Sequence, residues 1–255
     1  MGLKNFIPFK NRRPSYIWRN FLYLYMSNKN KLQRFAEITA LPNVFENDDF
    51  HDPHAKDASG DRVELKGLWG SRVFHNGLPL TLELACGKGE YTTHLAQAYP
   101  ERNFIGLDIK GARIWKGATM AHGAGLKNVA FLRTRIELIG SYFATGEVSE
   151  IWITFPDPFL RESKSNRRLT SHPFLDRYQP ILCRGAIVHL KTDDPSLYEF
   201  TGMVLAERSD YTILERTDDY YGDTRPDPST HLLTHYEKMH LAEGKKITYT
   251  RFQRV

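Results

Sequence analysis

Hydrophobic and polar positions change period repeatedly along the chain, and from Leu80 onward the change is regular. The run LTLEL (80–84) is short and continuous, as expected of a strand buried on both faces. The stretch GEYTTHLAQAYP that follows has helical spacing and is closed by Pro100. NFIGLD (103–108) predicts a second strand, and GARIWKGATMAHGAG a helix closed by Gly123 and Gly125. NVAFLR (128–133) predicts a third strand with a helix after it through Phe143, and EIWITF (150–155) a fourth. AIVHLK (186–191) follows, then a helix expected to open at Asp194-Pro195, where a proline's missing N–H costs nothing. Leu197, Phe200, Val204 and Leu205 share one face of that helix. YTILER and KITYTRFQ are the last two strands. Strand and helix in turn predict an α/β fold: seven strands, mostly parallel, helices on both faces, ligands at the strands' carboxyl ends.

Upstream, residues 42–79 are rich in Asp, His, Gly and Pro (NDDFHDPHAKDASGDR), which reads as loop and linker. His51 and His54 have H-x-x-H spacing, but with no third ligand beside them they read as a solvated loop, and no metal is expected. The expected organisation is a basic aromatic arm (1–30), an extension and linker (31–79) and one catalytic domain (80–255).

Charge changes this picture at the ends and in one loop. The chain has 35 Lys+Arg against 30 Asp+Glu, a formal +5, which permits a polyanionic partner without requiring one. The first 25 residues carry Lys4, Lys10, Arg12, Arg13 and Arg19, seven aromatics and no acid. Their apolar stretch FLYLYM is too short and too aromatic for a signal peptide, and they read either as an arm that orders on binding or as sequence upstream of a start at Met26. No apolar run nears the roughly 20 residues that span a bilayer. Two cysteines, Cys86 and Cys183, imply no disulfide framework, so a reducing, cytoplasmic location is expected.

Two stretches carry candidate chemistry. After the first strand comes E-L-A-C-G-K-G, with Gly87 and Gly89 in a turn that lets backbone approach an anion at a helix start. Asp108 ends the next strand 21 residues after Gly87, where a carboxylate accepts both hydroxyls of a ribose. Thr92 stands where the third glycine of a dinucleotide loop belongs, which counts against a nicotinamide oxidoreductase. The second stretch is ITFPDPF, which runs into LRESKSNRRLT. Pro156 and Pro158 stiffen the backbone around Asp157, and Arg161, Lys164, Arg167 and Arg168 follow as candidate contacts to a nucleic-acid backbone. His189 lies in an apolar strand and reads as a satisfied core histidine, and Cys86 as a small residue in the turn.

E-L-A-C-G-K-G followed by I-G-L-D-I resembles the paired signature of S-adenosyl-L-methionine-dependent methyltransferases of the Rossmann-like class I fold. F-P-D-P-F, R-R-L-T, H-L-K-T-D and T-H-Y-E, in that order, resemble the motifs of bacterial tRNA (guanine-N7-)-methyltransferases, from about Lys31 to the end of the chain. The resemblance implies methyl transfer from S-adenosyl-L-methionine to N7 of a guanine in the tRNA variable loop, by a monomer or weak homodimer. It implies Glu83, Asp108 and Asp157 as cofactor acids, with Asp157 also catalytic. It further implies Arg161, Asp193 and the run Thr234, His235, Tyr236 and Glu237 as substrate-binding. Asp193 and Glu237 would then accept from the guanine edge. Where the family has an Asp after the third strand this chain has Arg135, so the adenine contact passes to Arg135, backbone or Ile136. The alternatives are an exocyclic-amine methyltransferase, whose loop reads Asp/Asn-Pro-Pro-aromatic, and a non-catalytic RNA-binding module on the same fold.

Overall fold

A computed structural model describes residues 29–222 and 235–255, so the first 28 residues and Thr234 lie outside the described part. Helix α1 (Lys31–Ile38) opens on a reciprocal cap: the Asn30 side chain accepts from the Gln33 N–H, and the Gln33 side chain accepts from the Asn30 N–H. Three short strands follow, β1 (Val44–Glu46), β2 (Ala55–Lys56) and β3 (Arg62–Val63), then a helical turn at Trp69–Phe74. Next come β4 (Leu80–Leu84), α2 (Glu90–Ala98), β5 (Asn103–Asp108), α3 (Gly111–Gly123), β6 (Val129–Arg133) and β7 (Val148–Thr154). The chain continues as α4 (His172–Tyr178), β8 (Leu182–Thr192), α5 (Pro195–Ala206), β9 (Tyr211–Thr217), α6 (His235–Ala242) and β10 (Thr248–Arg254).

All strands among the described residues join one sheet in the order β3-β2-β1-β6-β5-β4-β7-β8-β10-β9. From β1 to β8 neighbouring strands are parallel, while β10 runs antiparallel between β8 and β9. The chain winds outward from β4 through β5 to β6, then returns to β7 on the other side of β4. That reversal opens a crevice at the carboxyl ends of β4 and β7, where such sheets bind ligands.

Helices cover both faces. One buried cluster joins Leu82, Leu84, Ile105 and Leu107 to Phe174 and Leu175 of α4 and Leu197, Val204 and Leu205 of α5. The other joins Phe104, Phe131 and Trp152 to Tyr91 and Leu95 of α2 and Ile114 and Trp115 of α3. Asp194 caps α5 as expected, accepting from the Leu197 N–H at 2.8 Å.

The α/β reading of residues 80–255 therefore holds, with two corrections. The stretch before Phe143 forms only a short 3₁₀ turn (Ile136–Ser141). The loop-and-linker reading of 42–79 gives way to strands: β1 pairs in parallel with β6 and carries β2 and β3 with it, so the sheet has ten strands. Strands of two or three residues are too short to show a period, which is why the sequence hid them. The same segment plants Trp69 in the core, fully buried, stacked on Phe143 and edge-on to Phe45, with its indole N–H donating to the Tyr142 carbonyl at 2.9 Å. Trp69→Ala should lower unfolding free energy by about 3–5 kcal/mol in a denaturant titration; a loss under 1 kcal/mol would mean that residues 31–79 are detachable.

Candidate functional site

Glu83 is the fourth residue of β4, and the pleat turns it away from Leu82 and Leu84 toward the start of α2. Its carboxylate accepts from the Thr92 backbone N–H at 2.8 Å, from the Thr92 hydroxyl, and from the Thr154 hydroxyl at 2.7 Å. Thr92 lies in the first turn of α2, whose N-cap Gly89 offers no side chain, so the strand's acid satisfies an N–H that the helix cannot. Thr154 ends β7, three residues before Asp157. Burial pushes the Glu83 carboxyl up to about 7, despite hydrogen bonds from both threonines that pull it down.

The glycine turn is tied to the second acid in the same way. Asp108 Oδ2 accepts from the Gly87 N–H and Oδ1 from the Lys110 N–H, each at 2.8 Å. Gly87 and Gly89 have φ of +56° and +64°. At Gly89 a Cβ would stand 2.5 Å from the Phe131 ring and 3.2 Å from Gly117 of α3, so turn and helix meet only because both are glycine. Thr92 thus has a positive reason to replace the third glycine: it bonds Glu83. Burial drives the Cys86 thiol well above its usual range, consistent with a small, unreactive residue.

Beside Asp108 a pocket of about 180 Å³ is lined by Asn47, Asp48, Phe50, Ile109, Arg133, Thr134 and Arg135. Arg135 is exposed and lies 4.7 Å above the Phe50 ring. Ile136 packs against the core and does not line this pocket. Phe50 and Ile109 are members that the linear sequence hid, the first because it comes from the extension.

Asp157 is exposed, and its Oδ1 accepts from the Phe159 N–H at 3.0 Å. Phe155 and Phe159 on either side have φ of +50° and +41°, which non-glycine residues reach at a cost of order 1–3 kcal/mol each. The Phe155 N–H donates to the Lys191 carbonyl at 2.9 Å, so β8 holds the loop's first residue. Arg161, Lys164 and Arg167 are exposed on a 3₁₀ turn (Glu162–Arg167) and its N-cap, with Arg167 5.1 Å above the Phe159 ring. Arg168 departs from its neighbours. Its side chain is 6% exposed, and its guanidinium donates to the carbonyls of Pro158 at 3.0 Å and Phe159 at 3.2 Å. It is therefore not placed to meet an RNA backbone, and that expectation is corrected: the residue braces the Asp157 loop from within.

The substrate-side residues also divide. Asp193 is half-buried with His240 Nε2 3.3 Å from its carboxylate, and the His240 ring stacks on Phe155 at 5.9 Å. Glu237 on α6 has no exposure and forms a 2.5 Å ion pair with Lys191, which is equally buried. The Tyr221 hydroxyl donates to the same carboxylate at 2.8 Å, and Lys191 lies 4.4 Å from the Tyr220 ring. A carboxylate so enclosed is a post for α6: Glu237 does not face solvent, whereas the expectation had it on the substrate side. His235 and Tyr236 are the first two residues of α6. Lys191 was legible as the one cation in an apolar strand, IVHLKT, but its partner lies 46 positions away in sequence. His189 is a satisfied core residue as expected, stacked on Trp152 at 3.8 Å, with Tyr249 and Glu150 on its two nitrogens.

A family model described as "Putative methyltransferase" matches residues 78–250. A tRNA (guanine-N(7)-)-methyltransferase of Christiangramia forsetii is 46% identical over 89% of this chain and 99% of its own length. One from Porphyromonas gingivalis is 49% identical over 74% of this chain and 76% of its own. The solved 16S rRNA methyltransferase KamB superposes with a TM-score of 0.56 at 15% identity, over 76% of this chain and 96% of its own, a likeness of fold.

Two predictions test the polar interior. A carboxyl with a raised folded-state pKa stabilises most below its unfolded value near 4.5, and that contribution is lost as pH rises through about 7. Glu83→Gln should flatten the resulting fall in melting temperature between pH 5 and 7.5, a term of roughly 3 kcal/mol; an unchanged slope would refute it. Glu237→Gln should cost about 3–5 kcal/mol, and Lys191→Met with Glu237→Leu should recover most of it. Equal loss in the single and double variants would argue against a buried pair.

Proposed function

The chain belongs to the tRNA (guanine-N(7)-)-methyltransferase family, and on that premise we propose that it transfers a methyl group from S-adenosyl-L-methionine to N7 of a guanine in the variable loop of tRNA. The observation that carries the mechanism is the rigid, solvent-facing carboxylate of Asp157 at the carboxyl end of β7, beside the acids of β4 and β5.

The side chains fit the cofactor. Asp108 is a carboxylate at a strand end facing the glycine turn, suited to a ribose diol, and at Gly87 an added Cβ would meet nothing nearer than the Ala85 carbonyl oxygen at 4.0 Å. Glu83, Gly87, Gly89 and Asp108 would hold the cofactor, with Ile109 and Arg135 at the pocket beside them. When bound, S-adenosyl-L-methionine supplies a methyl group on a positively charged sulfur.

Guanine N7 offers an in-plane lone pair and carries no proton, so the chain needs no general base. Positive charge develops on the purine as the bond forms, and a carboxylate held in advance beside it stabilises that charge more than it stabilises the ground state. Asp157 fills that role, while Arg161, Lys164 and Arg167 hold phosphates and set register. Asp193 reads the guanine edge by accepting from its N1–H and amino group, with His240 beside it.

Incubation with labelled S-adenosyl-L-methionine and unmodified tRNA, followed by nucleoside analysis, should place the label in N7-methylguanosine. Label on an exocyclic amine would overturn the reading. Asp157→Asn should lower kcat about 10²–10³-fold, as loss of a preorganised electrostatic group does. Asp193→Ala should raise KM for tRNA several-fold more than it weakens cofactor binding. Equal losses would remove Asp193 from the substrate side.

A further inference from the structure

The basic stretch after Asp157 looks uniform in sequence, yet one of its cations faces inward. We propose that Arg168 is a positioning residue that sets the orientation of Asp157, so that it governs the rate of methyl transfer and not the affinity for tRNA. This rests on the reading of Asp157 given above.

The contacts make the case. Its Nε donates to the carbonyl of Pro158 and its Nη2 to that of Phe159, so one planar fork spans the two peptide oxygens after Asp157. Phe159 is the residue at φ +41° whose N–H in turn donates to Asp157 Oδ1. The Pro158 carbonyl and the Phe159 N–H share one peptide plane, so the Nε bond that fixes that carbonyl also fixes the amide that orients the carboxylate, while the Nη2 bond holds the peptide after it. Behind the fork, the guanidinium lies 4.3 Å from the Phe200 ring of α5, which supplies a flat apolar backstop. Its acidic neighbour among the described residues, Glu162, is 3.9 Å away and 86% exposed, too loose to compete.

The arrangement also joins two functions mechanically. The Arg168 N–H donates to the Ser165 carbonyl, and the Ser171 hydroxyl to that of Asn166, so the turn presenting Lys164 and Arg167 closes onto the same segment. Thr170 bonds Thr201 of α5 at 2.7 Å and anchors that segment to the sheet's helical layer. A phosphate held on the turn is thereby registered against Asp157 through a single rigid piece. A lysine at 168 would keep the charge but offer a point donor in place of a fork.

The test compares Arg168→Lys and Arg168→Met with Arg167→Ala, in the full chain with tRNA. For both Arg168 variants kcat should fall about 10–100-fold, the range expected when a reacting group is displaced by about 1 Å. KM for tRNA, and the slope of log affinity against log salt, should stay at wild-type values. Arg167→Ala should instead weaken binding and reduce that slope by about one. In the protein without substrate, hydrogen exchange at the Phe159 amide should accelerate at least tenfold in Arg168→Lys while melting temperature and cofactor affinity hold. A shallower salt slope with kcat intact would make Arg168 a phosphate contact and overturn the proposal, as would unchanged kcat and exchange. If Asp157→Asn turned over normally, the catalytic reading would fail, whereas the exchange result would still decide whether Arg168 holds the loop.

Discussion

A carboxylate in the middle of the sheet organises this molecule. Glu83 is nearly sealed from solvent, yet it gathers three donors from two separate elements, the first turn of α2 and the end of β7. A charge so placed is costly to desolvate, and only because every donor points at it does the arrangement persist. The consequence is geometric. The glycine turn that leads into α2 and the loop that carries Asp157 hang from a single buried post, so the two halves of the site cannot drift apart independently.

Around that post the polar groups have distinct duties that residue type does not reveal. Lys191 contributes its backbone carbonyl to Phe155 and its side chain to Glu237, and so links the loop after β7 to helix α6. Arg168 secures the other end of the same loop. Two non-glycine residues at positive φ are tolerated there because bonds on both sides over-determine them. What remains exposed is correspondingly simple: one acid, three cations and the half-buried Asp193 with its histidine. That division between an inner frame and an outer contact surface is what a reaction limited by placement requires.

Much of this was readable beforehand. The strands from Leu80 to Lys191 are continuous apolar runs between turn signals, and Glu83, Asp108 and Asp157 lie at or near the carboxyl ends of three of them, where the pattern put them. Residues 42–79 were not readable, because strands of two or three residues carry no period and gain their stability from β6, distant in sequence. The pocket beside Asp108 was half-seen: Arg135 lines it, but Ile136 packs against the core and Phe50 arrives from the extension.

Local pattern was thus enough to set the alternation of strand and helix, the two glycines that close approach demands and the stiff acid between prolines, since each depends on backbone geometry within a few residues. Which cations and acids face the crevice was a matter of packing. Arg167 and Arg168 are neighbours of the same type, yet one is exposed over a phenylalanine and the other is buried against two carbonyls. Glu237 and Asp193 seemed equivalent until Lys191 enclosed the first. Burial is a property of what the rest of the chain brings near, and that is written in no short stretch of it.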